Sequence, residues 1–271
     1  HTRNDRDLST ELYTAKRYKM SDINRLERRI DKIEEITTLS LLELNTSTLS
    51  VVDSSGNPRT KAGFLVDKVR SGSSYITGSG PGGIGKTTTM HALLPFVPND
   101  LPFLTALPGE IQPFGQVKRS VIISNELSDH PPPTYLWDND LRDYFNLLES
   151  GHILVSNVHA DSHDETYEQM VKENDIPEDQ FRSINVLIFI CLEGGNPDQG
   201  RIKDTVTPRI VNKVYYSDGK SPHELVYNPD NGLSDGPFRN RTTEEESRRL
   251  LTEIMNTKLR SVSQIREHCS A

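Results

Sequence analysis

Residues 80–88 read Gly80-Pro81-Gly82-Gly83-Ile84-Gly85-Lys86-Thr87-Thr88, and the stretch from Gly80 to Thr87 matches the pattern G-x-x-x-x-G-K-[ST] in full. Glycine lets a backbone curl until successive N–H groups converge, which makes a cradle for phosphate oxygens. A helix opening at Lys86 would add the positive end of its dipole. Lys86 supplies a mobile cation for the outer phosphates. The Thr87 hydroxyl can ligate Mg2+, whose other ligands are mostly waters and phosphate oxygens. The expected ligand of Gly80, Pro81, Gly82, Gly83, Ile84, Gly85, Lys86, Thr87 and Thr88 is therefore ATP with Mg2+, and Thr87 is the expected metal ligand.

Cleaving a phosphoanhydride also needs a group that orients the attacking water. The run Val121-Ile122-Ile123-Ser124-Asn125-Glu126 is an apolar strand closing on an acid. Glu126 then falls at a strand's carboxyl end, where open α/β sheets place their ligands. Asp129 is a second acid suited to a supporting role. His159 follows the apolar run Ile153–Val158 in the same manner, and an imidazole there could contact the γ-phosphate. Glu126 and His159 are the candidate catalytic residues. Blander readings stand beside these: Glu126 as an ordinary acid after a strand, and His159 as a structural histidine. His159, Asp161 and His163 could also form a metal site, although no fourth ligand is evident.

Short apolar strands alternating with helices must position these groups. Strands are expected at 74–77, 103–106, 120–124, 153–158 and 186–192, and helices at 86–94, 139–149 and 164–173. This alternation predicts an α/β fold, with a mostly parallel sheet covered by helices on both faces. Gly151 is placed to end a helix in the left-handed conformation. Residues 210–216 and 223–227, joined by Ser217-Asp218-Gly219-Lys220, predict a β-hairpin. A final helix is expected over 242–265, with Thr242 or Thr243 as its N-cap and Glu244, Glu245 and Glu246 in its first turn. The tract 228–241 reads as a polar linker.

The first 70 residues differ in character. Ile23, Leu26, Ile30 and Ile33 recur at helical spacing after Ser21, a suitable N-cap, and form one seam on a charged helix. Gly63-Phe64-Leu65-Val66 is a short strand candidate. The expected units are a helical segment over 1–71, a nucleotide-binding core over 72–240 and a C-terminal helix over 241–271.

Net charge is −8, from 31 Lys and Arg against 39 Asp and Glu, which argues against a dedicated nucleic-acid binder or DNA-translocating enzyme. Two cysteines cannot build a disulfide framework or a four-Cys zinc site. The longest apolar run, 186–192, is far short of the roughly 20 residues that span a bilayer. The polar residues 1–6 lead into no apolar stretch, so no secretory leader is expected. These readings favour a cytoplasmic chain. It starts at His1 rather than Met, as a fragment or processed product would.

Taken in order, the glycine loop, the strand closing on Asn125-Glu126-Leu127-Ser128-Asp129, the helix end Glu149-Ser150-Gly151-His152 and the box Ser156-Asn157-Val158-His159-Ala160-Asp161-Ser162 resemble the ATPases that drive type II and type IV secretion and pilus assembly. The resemblance covers about residues 72–265 and implies a RecA-like P-loop NTPase fold. It also implies that Glu126 is the acid that polarises water and that His159 is the histidine-box residue. It further implies a homo-oligomeric ring, possibly of six subunits in such motors, working at the inner face of a membrane. The Gly and Arg that flank the acid in that family are missing here. Only 40 residues separate Lys86 from Glu126, a stretch shorter than the family's, which normally carries an aspartate box and arginine fingers. Thr105–Glu110 could be a remnant of that box, and Arg119 is the only arginine in the interval. Without arginines supplied from elsewhere, charge on the transferring phosphoryl group would be poorly compensated and turnover slow.

Residues of about 10–69, including Tyr18–Ile23, Leu39–Glu43 and Asn57–Asp67, instead resemble a segment of tailed-phage virion structural proteins. That resemblance implies an alternative function: a virion structural or assembly protein with a vestigial nucleotide site, found in the virion or the infected cell.

Overall fold

A computed structural model describes residues 60–129, 134–196, 201–203, 206–257, 259 and 261–270. The expected seam over 23–33 and most of the phage-like segment lie outside them. The described chain runs α1 (Thr60–Arg70), β1 (Tyr75–Gly78), α2 (Lys86–Leu93), β2 (Phe103–Thr105), β3 (Val121–Ile123), α3 (Asp138–Asn146), β4 (Ile153–Val158), α4 (His163–Tyr167), α5 (Glu178–Arg182), β5 (Val186–Leu192), β6 (Arg209–Tyr216), β7 (Glu224–Asn228), β8 (Gly232–Leu233), α6 (Arg241–Asn256) and α7 (Val262–Ser270). A π-helical stretch, Glu168–Glu173, continues α4.

The strands form one eight-stranded sheet in the order β2-β3-β4-β1-β5-β6-β7-β8. The first five in that order are parallel, and β6 to β8 add antiparallel strands at one edge. β4 therefore lies between β1 and β3, and the loop after β1 faces the carboxyl ends of both neighbours.

Strand side chains alternate between faces, and the core divides accordingly. Tyr75, Val121, Ile123, Ile153, Val155, Val186 and Ile188 share one cluster with Phe64, Leu65, Met90, Leu93, Leu251 and Ile265 of the helices. Ile76, Ile122, Leu154, Leu187 and Phe189 face the other way, onto Leu141, Tyr144, Phe145, Met170 and Phe181. Both faces are thus covered by helix, as the apolar strand runs require.

Four expectations are corrected. Residues 63–66 are helix rather than strand, because α1 lies against α6 and buries Phe64, Leu65 and Val69 at helical spacing. Gly63 permits the close approach: a β-carbon there would stand 2.9 Å from the Glu244 carbonyl oxygen. The final helix is two helices, broken where the Thr257 N–H and hydroxyl both turn back to the Ile254 carbonyl at 3.0 and 2.7 Å. Its N-cap is Asn240, whose Oδ1 accepts from the N–H groups of Thr242 (3.2 Å) and Thr243 (3.3 Å). The tract 228–241 is not a free linker: it contains β8, and Phe238 packs edge-on against Phe64 with ring centroids 6.1 Å apart. Among the described residues no helix is long and apolar enough to cross a membrane.

Candidate functional site

The loop leaves the fully buried strand β1 and enters α2, the strand–turn–helix setting that a phosphate cradle requires. Two of its glycines are needed on backbone grounds. Gly83 has φ 80° and Gly85, the N-cap of α2, has φ 104°, values a side chain would strain. At Gly80 a β-carbon would displace the Asp161 carboxylate that accepts from the Gly80 N–H. Ile84 is fully buried and packs with Ile190 of β5 and with Ile202, which anchors the loop to the sheet.

Lys86 is buried at the start of α2, and its Nζ donates to the Ser79 carbonyl at 2.8 Å. The same Nζ lies 2.9 Å from Glu126 Oε1, an ion pair whose angle is too poor for a hydrogen bond. Glu126 sits just past β3, and the hydrogen bonds Leu127 N to Asn157 O (2.8 Å) and Leu136 N to Glu126 O (3.1 Å) hold it there. His159, just past β4 and partly exposed, brings Nδ1 to 3.7 Å from the same Glu126 oxygen. The Tyr135 hydroxyl also bonds to Glu126. Burial, helped by Glu126, pushes that phenol up to about 12, so at neutral pH it stays a donor.

Lys86, Glu126 and His159, singled out from the sequence, thus converge from the ends of β1, β3 and β4. The loop 80–88 lies beside them, with Thr87 exposed and Lys86 buried, while Ile84 points into the core. Asp129 is exposed farther along. Arg119 is elsewhere: its Nε donates to the Gly151 carbonyl at 2.8 Å, at the amino end of the sheet. His152, part of the resemblance, is there too and accepts from Ser120 N at 3.1 Å.

Asn157, inside the box 156–162, is the polar hub beneath the loop. It is paired in register with Thr77 of β1. Its Nδ2 donates to Thr87 Oγ1 at 3.2 Å and to the Asn125 carbonyl at 2.7 Å, and its Oδ1 accepts from the Thr77 hydroxyl. Asp161 serves the loop rather than a metal. Its Oδ1 accepts from Gly80 N at 2.8 Å and Asn196 Nδ2 at 3.0 Å, which ties the loop's first residue to the end of β4. His163 turns away and stacks on Tyr215 at 5.0 Å, so the trio His159, Asp161 and His163 does not converge on a metal. Among the described residues no group of three or more His, Cys, Asp or Glu is placed to hold one.

The donor set does fit a cation that arrives with its own oxygens. Thr87 Oγ1 keeps a lone pair while accepting from Asn157, and one protein hydroxyl suffices for Mg2+ bound mainly through phosphates and water.

Fold and loop together define an α/β protein with a glycine-rich turn between a central parallel strand and the helix that follows it. No protein-family model matches the chain, and no curated protein does. Seventeen chains of solved structures match it. One is the VirB11 ATPase of the Brucella suis type IV secretion system in complex with sulphate, at 22% identity and a TM-score of 0.38, covering 56% of this chain. The chain spans about half (50%) of that protein's length. Proteins that superpose so loosely can share a sheet without sharing a reaction.

Proposed function

We propose that this chain binds ATP in residues 80–88 and hydrolyses it. The support is one arrangement: the Lys86 ammonium and the Glu126 carboxylate, 2.9 Å apart, meet at the mouth of the glycine loop. The lysine is held in place for phosphates by Ser79, and the carboxylate is held in place for water by the strand end. On binding, the lysine exchanges Glu126 for the β- and γ-phosphate oxygens. The freed carboxylate then orients water, and the water proton passes to it. His159, beside Glu126, senses the γ-phosphate end. Mg2+, held by Thr87, would neutralise charge between the phosphates.

The resemblance of residues 149–162 to secretion and pilus-assembly ATPases extends this reading. Nucleotide closure would do mechanical work on a macromolecular assembly, with the chain acting in a homo-oligomeric ring at the cytoplasmic face of a membrane. The alternative, a virion structural protein, rests mostly on residues outside those described.

Calorimetry tests the reading. Lys86→Ala should abolish ATP binding, and unchanged affinity would overturn it. Glu126→Gln should stop phosphate release and leave ATP affinity within about a factor of three, because it keeps shape while removing the acceptor charge.

A further inference from the structure

The short segment 201–203 lies along the loop. Arg201 and Gly82 form a parallel β-bridge, and Ile202 N donates to the Gly82 carbonyl at 2.9 Å. The segment is anchored from below, since Ile202 is nearly buried against Ile84 and Ile190. A β-carbon on Gly83 would collide with the Ile202 carbonyl at 2.7 Å, so two backbones meet here with nothing between them. The exposed Arg201 side chain rises from this contact over the glycines. Its Cγ and Nε stand 3.5 and 3.6 Å from where a Gly83 β-carbon would be. Its charge also reaches the Tyr135 hydroxyl, where it opposes the upward push of burial and Glu126. Tyr135 in turn bonds to Glu126. The Arg201 side chain therefore lies along the glycines of the loop, with its charge felt at the tyrosine that bonds to Glu126.

We infer that Arg201 is the arginine of this site, a catalytic residue that contacts the γ-phosphoryl group from within the same chain. The inference rests on the ATP-hydrolysis reading above. It answers the shortage evident in the sequence, since the arginine between the two motifs, Arg119, is committed to Gly151 at the sheet's other end. In the reaction, a water oxygen bonds to the γ-phosphorus as the bond from phosphorus to the β–γ bridging oxygen breaks. ADP leaves with the bond's electron pair, inorganic phosphate forms, and the water proton goes to Glu126. Arg201 forms and breaks no bond. Its planar fork neutralises charge that builds on the equatorial and bridging oxygens, a role a point-charge lysine fills poorly.

The test uses Arg201→Ala and Arg201→Lys in the full chain. Because the side chain is exposed, its removal takes nothing from the core. Arg201→Ala should lower ATP turnover about 10³-fold, the lower end of what such arginines supply, while ADP affinity by calorimetry stays within about threefold. Arg201→Lys should recover little of the loss. ADP with aluminium fluoride, which mimics the transferring phosphoryl group, should be trapped by the parent chain and not by Arg201→Ala. Mixing Arg201→Ala with Lys86→Ala should restore nothing. Unchanged turnover or retained trapping in Arg201→Ala overturns the inference, and restored turnover on mixing overturns its same-chain part by showing an arginine supplied between subunits. A parent chain that binds no ATP overturns the underlying reading as well.

Discussion

The two ends of β4 carry neighbouring parts of one sequence resemblance, and they do different work. At the amino end, polar side chains are spent on backbone: His152 on Ser120 N, Arg119 on the Gly151 carbonyl, and Ser74 Oγ on Leu154 N at 3.0 Å. At the carboxyl end, Lys86, Glu126 and His159 stand within 4 Å in sequence of contact, and Asn157 braces the threonine beside them. The amino end fastens one strand to the next. The carboxyl end keeps charged groups that aim at a common point, which is where parallel sheets expose their loops. A motif spread along a strand is therefore not a list of site residues, because strand direction sorts it into fasteners and participants.

If the amino end serves stability alone, its titrations should be separable from ligand binding. His223 lies on that side, with its Nε2–H donating to the Ile184 carbonyl at 2.7 Å just before β5. Burial, reinforced by His163 and Arg182, lowers its pKa to about 4, and burial does the same to His91 in α2. The unfolded chain, with histidines near 6.5, binds the extra protons in this window. The stability from each neutral histidine is therefore complete above about pH 6.5 and lost as pH falls towards about 4, roughly 3 kcal/mol per group. His223→Gln keeps a donor for Ile184 and removes the titration. Denaturant midpoints across pH 4–7 should show an acid slope flatter by about that amount, with ATP affinity at pH 7.5 unchanged. A slope as steep as the parent's would show that the histidine is not the acid-sensitive fastener.

Asn157 sharpens the other half of the comparison by about 10- to 100-fold. It acts through Thr87 rather than on the nucleotide, so it is a positioning residue. Losing such a support weakens a metal site by that factor. Asn157→Ala should raise the Mg2+ concentration needed for half-maximal ATP binding by about 10- to 100-fold, while affinity for metal-free ADP changes little. Equal losses with and without Mg2+ would mark the asparagine as a general scaffold residue, like those at the other end.

Much of this was readable in advance, for identifiable reasons. Strands buried on both faces are continuous apolar runs, and 153–158 and 186–192 emerge with the bounds expected. Glu126 and His159 stand out because each closes such a run, and Lys86 because it completes the glycine-loop pattern. Residues 63–66 are ambiguous in the sequence, because so short an apolar run fits a strand or a buried helix equally well, and only the contact with α6 decides. Asn157 and Arg201 had no usable signal. An asparagine inside a strand is merely a poor strand residue until β4 is known to lie between β1 and β3, with Asn157 opposite Thr77. Arg201 matters only because a backbone pairing far along the chain brings it to Gly82.

Arg119 is the smallest and most pointed test. It is the only arginine in the sequence between the loop and Glu126. The fold instead sends it to the amino end, where Nε holds the Gly151 carbonyl at 2.8 Å and the guanidinium lies near Gly72. The side chain is exposed, so the bond is worth no more than about 1 kcal/mol. Arg119→Ala should shift the denaturant midpoint slightly and leave turnover, ADP affinity and aluminium fluoride trapping as in the parent. Paired with Arg201→Ala, it sets an arginine at the amino end of the sheet against one that lies on the loop. A turnover defect in Arg119→Ala without loss of stability would mean that the two ends of β4 are energetically coupled, and that the division between fastening and participating residues fails.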